Sequence, residues 1–183
     1  MKKYLITSPN FYTDIPQVFE KKLEEQIQKH QPNFVLLRDK QTTAYIVLAN
    51  SFMKVMKNHP KIKAFLHDDI NLAVELNASG VHLPSYSFDK ITKAKSKNLE
   101  VIVSTHTMDE VLKAEKFHAN YVTYSPIFFS PNKGKPKGIE NLLEILKVTN
   151  INIFALGGIV NKEEVSLIQK TKVYGFASIR YFY

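Results

Sequence analysis

At 183 residues, 44% hydrophobic and 23% charged, the chain has the size and balance of one globular domain on a single core. Zero cysteines exclude disulfides and thiolate metal sites, and no apolar run approaches the roughly 20 residues of a membrane span. The 25 Lys and Arg against 17 Asp and Glu leave a net charge of +8, a field that suits anionic ligands.

The lysines are spread through amphipathic patterns such as "FEKKLEEQIQK", with no long basic run and no recognisable nucleic-acid module. Small phosphorylated molecules are therefore the expected partners, with neither nucleic acid nor membrane among them; a solvated lysine-rich surface is the plain alternative. The start, "MKKYLITSPNFYTDIPQ", carries a basic pair, but its apolar run is too short for a signal peptide and no small-residue cleavage site follows. A cytoplasmic protein is expected.

In chain order, a strand pattern over 2–7 precedes helical spacing of Phe19, Leu23, Gln26 and Ile27 after Asp14. A second strand (33–38) leads to Ile46, Leu48, Phe52, Val55 and Met56 after Thr42. A third (63–67) leads to the short helical run "INLAVEL", capped by Asp69. Strands over 80–83 and 100–105 come next, the latter followed by Val111, Leu112 and Ala114 after Thr107. A strand over 120–125 precedes Leu142, Leu143, Ile145 and Leu146, and one over 152–156 precedes Val165, Ile168 and Gln169 after Asn161. An eighth strand spans 173–178. Asp14, Thr42, Thr107 and Asn161 are the expected N-caps.

Alternating βα units imply a parallel sheet, and eight of them a compact (βα)8 barrel spanning 1–183 as one domain. Tyr183 follows strand eight so closely that the final outer helix is expected to be missing. The face it leaves is to be covered by "RYFY" itself or by another subunit, so a homo-oligomer is an open possibility.

In such a barrel chemistry sits at the carboxyl ends of the strands. Strand two ends in Arg38-Asp39-Lys40, two cations able to clamp a phosphate or pyrophosphate. Strand three ends in His67-Asp68-Asp69, where Asp68 is the candidate Mg²⁺ carboxylate. His82, between Val81 and Leu83, reads as a buried, hydrogen-bonded core histidine. Ser104 and His106 share a parity, and together suit ligand binding and proton transfer. After strand six, "SPNKGKPKG" offers Ser130, Asn132 and Lys133 to an anion and reads as a lid that orders over bound phosphate. Gly157-Gly158 after strand seven suits a backbone phosphate turn.

In this order, from "VLLRDK" to "VYGFAS", these residues resemble the thiamine phosphate synthase family and its TenI-type thiazole tautomerase relatives. The fullest match is "STHTMDEVLKAEKFHANYVTYSPIFFSPNKGKPKGIE" followed by "FALGGI". The resemblance implies a (βα)8 barrel that binds a thiazole phosphate; a synthase would also bind a pyrimidine pyrophosphate with Mg²⁺. It assigns Arg38 and Lys40 to pyrophosphate, Asp68 to Mg²⁺, Ser104 and His106 to the strand-five pair that moves a proton in tautomerases, Ser130, Asn132 and Lys133 to phosphate groups, and Gly157 and Gly158 to the thiazole phosphate.

The departures fall on one side. Leu36 stands where the synthase pattern has a pyrimidine-binding Gln, His67 where Asn precedes the metal Asp, and Ser87 where a second metal carboxylate belongs. The strand-eight serine reads as replaced by Arg180, itself able to bind phosphate. The thiazole-phosphate side is the better kept, which favours a tautomerase that needs no cofactor. The alternatives are a divergent synthase using Mg²⁺ and a non-catalytic phosphate-ligand regulator.

Overall fold

The computed structural model describes residues 1–40, 42–131 and 133–183. Eight parallel strands close into a barrel in chain order: β1 (Lys2–Ile6), β2 (Phe34–Leu37), β3 (Lys63–His67), β4 (Gly80–Leu83), β5 (Glu100–Thr105), β6 (Tyr121–Tyr124), β7 (Asn152–Leu156) and β8 (Gly175–Ser178), with β8 pairing back onto β1. Every residue of β2, β4, β6 and β8 is buried, as expected for strands covered on both faces.

Among the described residues seven helices form the outer ring: α2 (Pro16–His30), α3 (Tyr45–Met56), α4 (Ile70–Glu75), α5 (Lys90–Ser96), α6 (Met108–Lys116), α7 (Gly138–Val148) and α8 (Lys162–Lys170). A one-turn helix, α1 (Pro9–Tyr12), follows β1. Thr107 and Asn161 start α6 and α8 with reciprocal capping boxes to Glu110 and Glu164, and Asp69 accepts the Leu72 N–H to start α4. Two expected caps shift. Ile15 is the N-cap of α2, because Pro16 supplies a preset first helical residue without the need of a side-chain cap. Ala44 is the N-cap of α3; the Thr42 hydroxyl instead accepts the Ala44 N–H, and Asp39 accepts that of Thr42. Ile46, Leu112 and Leu143 keep the helical period but face outward. Helix α5 lies outside the periodic segments because it buries little beyond Ile91 and Ala94.

Inside the barrel, alternate residues of the strands stack aromatics: Tyr4, Phe34, Phe65 and Phe154 are fully or almost fully buried, with ring centroids 5.0–6.2 Å apart along the chain of contacts. Two glycines make room for them. A Cβ on Gly80 would lie 2.6 Å from a Phe65 ring atom, and one on Gly175 2.6 Å from a Phe154 ring atom. Such large-against-small matching fills a barrel interior to normal packing density.

After β8 a three-residue 3-10 turn (Arg180–Phe182) stands in place of an outer helix. Phe182 is fully buried, stacked on Phe176 at 5.6 Å and edge-on to His30 at 5.4 Å; Tyr183 lies on Phe11 at 4.6 Å. Of the two covers considered, "RYFY" itself packs against α1 and α2. Among the described residues no helix is long and apolar enough to cross a membrane.

Candidate active site

Strand parity aims alternate side chains into the barrel, and the inward residues beyond the last rung surround a cavity of about 450 Å³, of ordinary small-molecule size. Arg38, Lys40 and His67 line one side, Ser104 and His106 another, and Gly157, Gly158 and Arg180 a third; Ser130 and Lys133 reach it from the β6–α7 loop. Asn132 lies outside the described residues. Asp68 stands near the rim, outside the lining residues.

The first wall is cationic. The Arg38 N–H donates to the Thr7 hydroxyl at 2.9 Å, which holds the end of β2 against β1. Burial lowers the Lys40 pKa, and the positive charges of Arg38 and Lys133 lower it further. Three cations from two distant loops therefore share one field, the condition under which a phosphorylated anion is drawn in.

The floor is a buried hydrogen-bond relay. The Tyr4 hydroxyl lies 2.9 Å from His82 Nδ1, and His82 Nε2 lies 2.9 Å from Ser104 Oγ. Burial lifts the Tyr4 pKa well above 10 and, with His67, Arg38 and Lys40 adding repulsion, depresses that of His82 to about 3, so both are neutral. A phenol surrounded by rings gains most by donating its proton. Nδ1 then accepts, Nε2–H donates to Ser104, and the serine proton is left to face the cavity. His82 is thus hydrogen-bonded and buried, as the sequence suggested, and also part of the cavity floor.

His106 is oriented from its other side. Its Nδ1 lies 3.0 Å from the Ser125 carbonyl oxygen, an acceptor, so Nδ1 carries the proton and Nε2 is the nitrogen open to accept one. The Glu110 carboxylate that completes the α6 capping box also accepts the His106 N–H, fixing the backbone beneath the ring.

The third wall is the glycine turn. Gly157 and Gly158 have φ of 99° and 71°, where side chains are strained. A Cβ on Gly158 would also lie 2.5 Å from the Phe129 carbonyl oxygen, because the β6–α7 loop crosses it. Next to this turn β8 ends in Ser178, a lining residue whose hydroxyl donates to the Ile159 carbonyl at 2.7 Å. Arg180 follows two residues on and lines the cavity as well. Ser125 was legible from parity alone. Ser178 shares the outward parity of Phe176, Tyr4 lies deep in a strand and Lys90 sits on a helix with weak periodicity, so these three carried no such signal.

The residues present do not fit a divalent cation. Asp68 Oδ1 is bonded to Lys90 Nζ at 2.8 Å, Ser87 is buried where a second carboxylate would be needed, and among the described residues no three His, Asp or Glu side chains converge. Mg²⁺ takes oxygen ligands in near-octahedral geometry and sheds water reluctantly, so one carboxylate already paired with an ammonium is a poor host.

Comparison with known proteins gives this barrel its relatives. The sequence model of thiamine monophosphate synthase matches residues 3–182. The chain belongs to the thiamine monophosphate synthase family. That family is one of enzymes of thiamine biosynthesis. An Aquifex aeolicus protein named "Putative thiamine-phosphate synthase 2" is 32% identical over 95% of this chain and 97% of its own length. The thiamine-phosphate synthase of Clostridium tetani is 28% identical over 87% of this chain and 78% of its own. In fold the chain matches the thiamine phosphate pyrophosphorylase of Pyrococcus furiosus, with a TM-score of 0.81 and 24% identity over 97% of this chain and 85% of that one. A Clostridium perfringens N-acetylmannosamine-6-phosphate 2-epimerase shares the barrel alone, at 12% identity and a TM-score of 0.76 over 99% and 87%.

Proposed function

We propose that the chain isomerises a thiazole phosphate in the manner of the TenI-type tautomerases. The observation that carries this reading is the asymmetry of the cavity. A proton-accepting His106 Nε2, a Ser104 hydroxyl and a glycine turn share it, whereas the positions a pyrimidine and its metal would need are Leu36, buried Ser87 and an Asp68 bonded to Lys90. The phosphate sits at Gly157, Gly158 and Arg180, where backbone and guanidinium can donate. His106 Nε2 takes one proton from a ring carbon, one proton is returned to a conjugated carbon, and the double bonds shift into an aromatic ring with no atom gained or lost. Ser104, kept as a donor by His82, steadies the electron-rich intermediate.

A second reading has its own support. Arg38, Lys40 and Lys133 form a second anion-binding wall, and relatives are named thiamine-phosphate synthases. Under it the thiazole nitrogen bonds to the pyrimidine's methylene carbon as pyrophosphate leaves, its charge taken up by the three cations. One purified protein assayed for both reactions, with and without Mg²⁺, separates them. Isomerisation that falls at least a hundredfold in His106→Gln supports the first reading; formation of thiamine phosphate without isomerisation replaces it with the second. Binding without turnover of either substrate would leave a regulator.

A further inference from the structure

At the β3 and β4 end of the mouth, an ammonium stands where a metal ion would be sought. Asp68 adopts a left-handed backbone (φ 54°), and its carboxylate meets Lys90, from the first turn of α5, at 2.8 Å. The two side chains are 24% and 39% exposed, so the pair belongs to the rim and not to open solvent. Ser87 is buried in the turn closed by its N–H to the Pro84 carbonyl and brings no charge. Lys40 feels Asp68 as well as Arg38 and Lys133, which places all of them in one electrostatic neighbourhood.

Four cations, Arg38, Lys40, Lys133 and Lys90, there face three carboxylates, Asp39, Asp68 and Asp89, the last acting on Lys90 as well. A dication arriving at Asp68 would have to displace Lys90 and enter a region already in positive surplus. An anion meets the opposite situation. The surplus attracts it, and Lys90 offsets the Asp68 carboxylate that would repel it.

We propose that the Asp68–Lys90 ion pair takes the place of a divalent cation, so that Arg38, Lys40 and Lys133 form a metal-independent subsite for a second anionic group, of the phosphate or pyrophosphate class. The proposal rests on reading the cavity as a phosphate-ligand site, and holds whichever of the two reactions is catalysed. It assigns Lys90 a role that no position in the strand-end pattern carries.

The test uses inorganic pyrophosphate and Mn²⁺ as probes of the whole protein. Calorimetric titration with pyrophosphate in EDTA is expected to give saturable binding, no weaker than in Mg²⁺. Paramagnetic resonance of added Mn²⁺ is expected to show no stoichiometric uptake. Lys90→Met should weaken pyrophosphate about fivefold, the scale of one partly exposed charge contact, and Lys90→Arg should restore it. Ser87→Asp with Lys90→Ala should create a Mn²⁺ site absent from the parent. Pyrophosphate binding only in Mg²⁺, or stoichiometric Mn²⁺ uptake by the unmodified chain, overturns the proposal. Failure to bind pyrophosphate in either condition also overturns it. Thiazole phosphate, titrated in parallel, then shows whether the wider reading of the cavity has failed too.

Discussion

Acid should unfold this protein earlier than an ordinary barrel, because two histidines are held neutral in its mouth. Burial lowers His67 from 6.5 to about 4, with Lys40 and Arg38 adding repulsion, and lowers His82 to about 3. In the unfolded chain both regain the ordinary value, so below about pH 6.5 the unfolded state binds up to two protons that the folded state refuses. The stability is fully present well above pH 6.5 and is lost as pH falls, towards 4 for His67 and towards 3 for His82. Each histidine costs about 1.4 kcal/mol per pH unit across that window, so from pH 7 to pH 5 the pair removes about 4 kcal/mol. That is a large share of the roughly 5–15 kcal/mol typical of a domain. Urea unfolding followed by circular dichroism at pH 7, 6 and 5 measures it directly. A His67→Asn variant, lacking one of the two groups, should lose about half as much. Unchanged stability from pH 7 to pH 5, or an equal loss in the variant, would refute the argument that burial keeps these rings neutral.

Tyr4→Phe removes the donor to His82 Nδ1 and leaves a buried acceptor unpaired, which should cost about 1–3 kcal/mol in urea unfolding. In ¹⁵N spectra the intact protein should show the His82 proton on Nε2; finding it on Nδ1 would reverse the relay. Gly158→Ala forces a side chain into a left-handed backbone and against the Phe129 carbonyl, so a loss of about 2–4 kcal/mol and of phosphate binding is expected by melting and calorimetry. Phe182→Ala empties the plug between β8 and α2 and should cost about 3–5 kcal/mol, read as a lower melting temperature. We also propose that the described loop residues from Lys133 to Lys137 close over ligand, in which case protease cleavage after these lysines should slow when thiazole phosphate is bound.

Much of the frame was legible because it is written locally. β-Branched and aromatic runs mark all eight strands, four of them with the bounds observed, and the capping boxes at Thr107 and Asn161 announce α6 and α8 within four residues. Strand-end parity likewise brought Ser104 and His106 to the mouth, and the loop after β7 brought Gly157 and Gly158. The misses have equally physical reasons. Asp14 lost its capping role because Pro16, two residues on, starts α2, and Ser178 gave no signal because its parity is that of the outward Phe176.

What the sequence determined by itself is the alternation of strand and helix, the starts of α4, α6 and α8, and which side chains stand at the strand ends. These depend on periods and hydrogen bonds spanning a few residues. Only the closed barrel decided who meets whom: Tyr4 with His82, 78 positions away, Asp68 with Lys90 rather than with a second carboxylate, and Lys133 with Lys40. Closure converts order along the chain into a ring, and the charges and hydrogen bonds that give the mouth its chemistry exist only between neighbours on that ring.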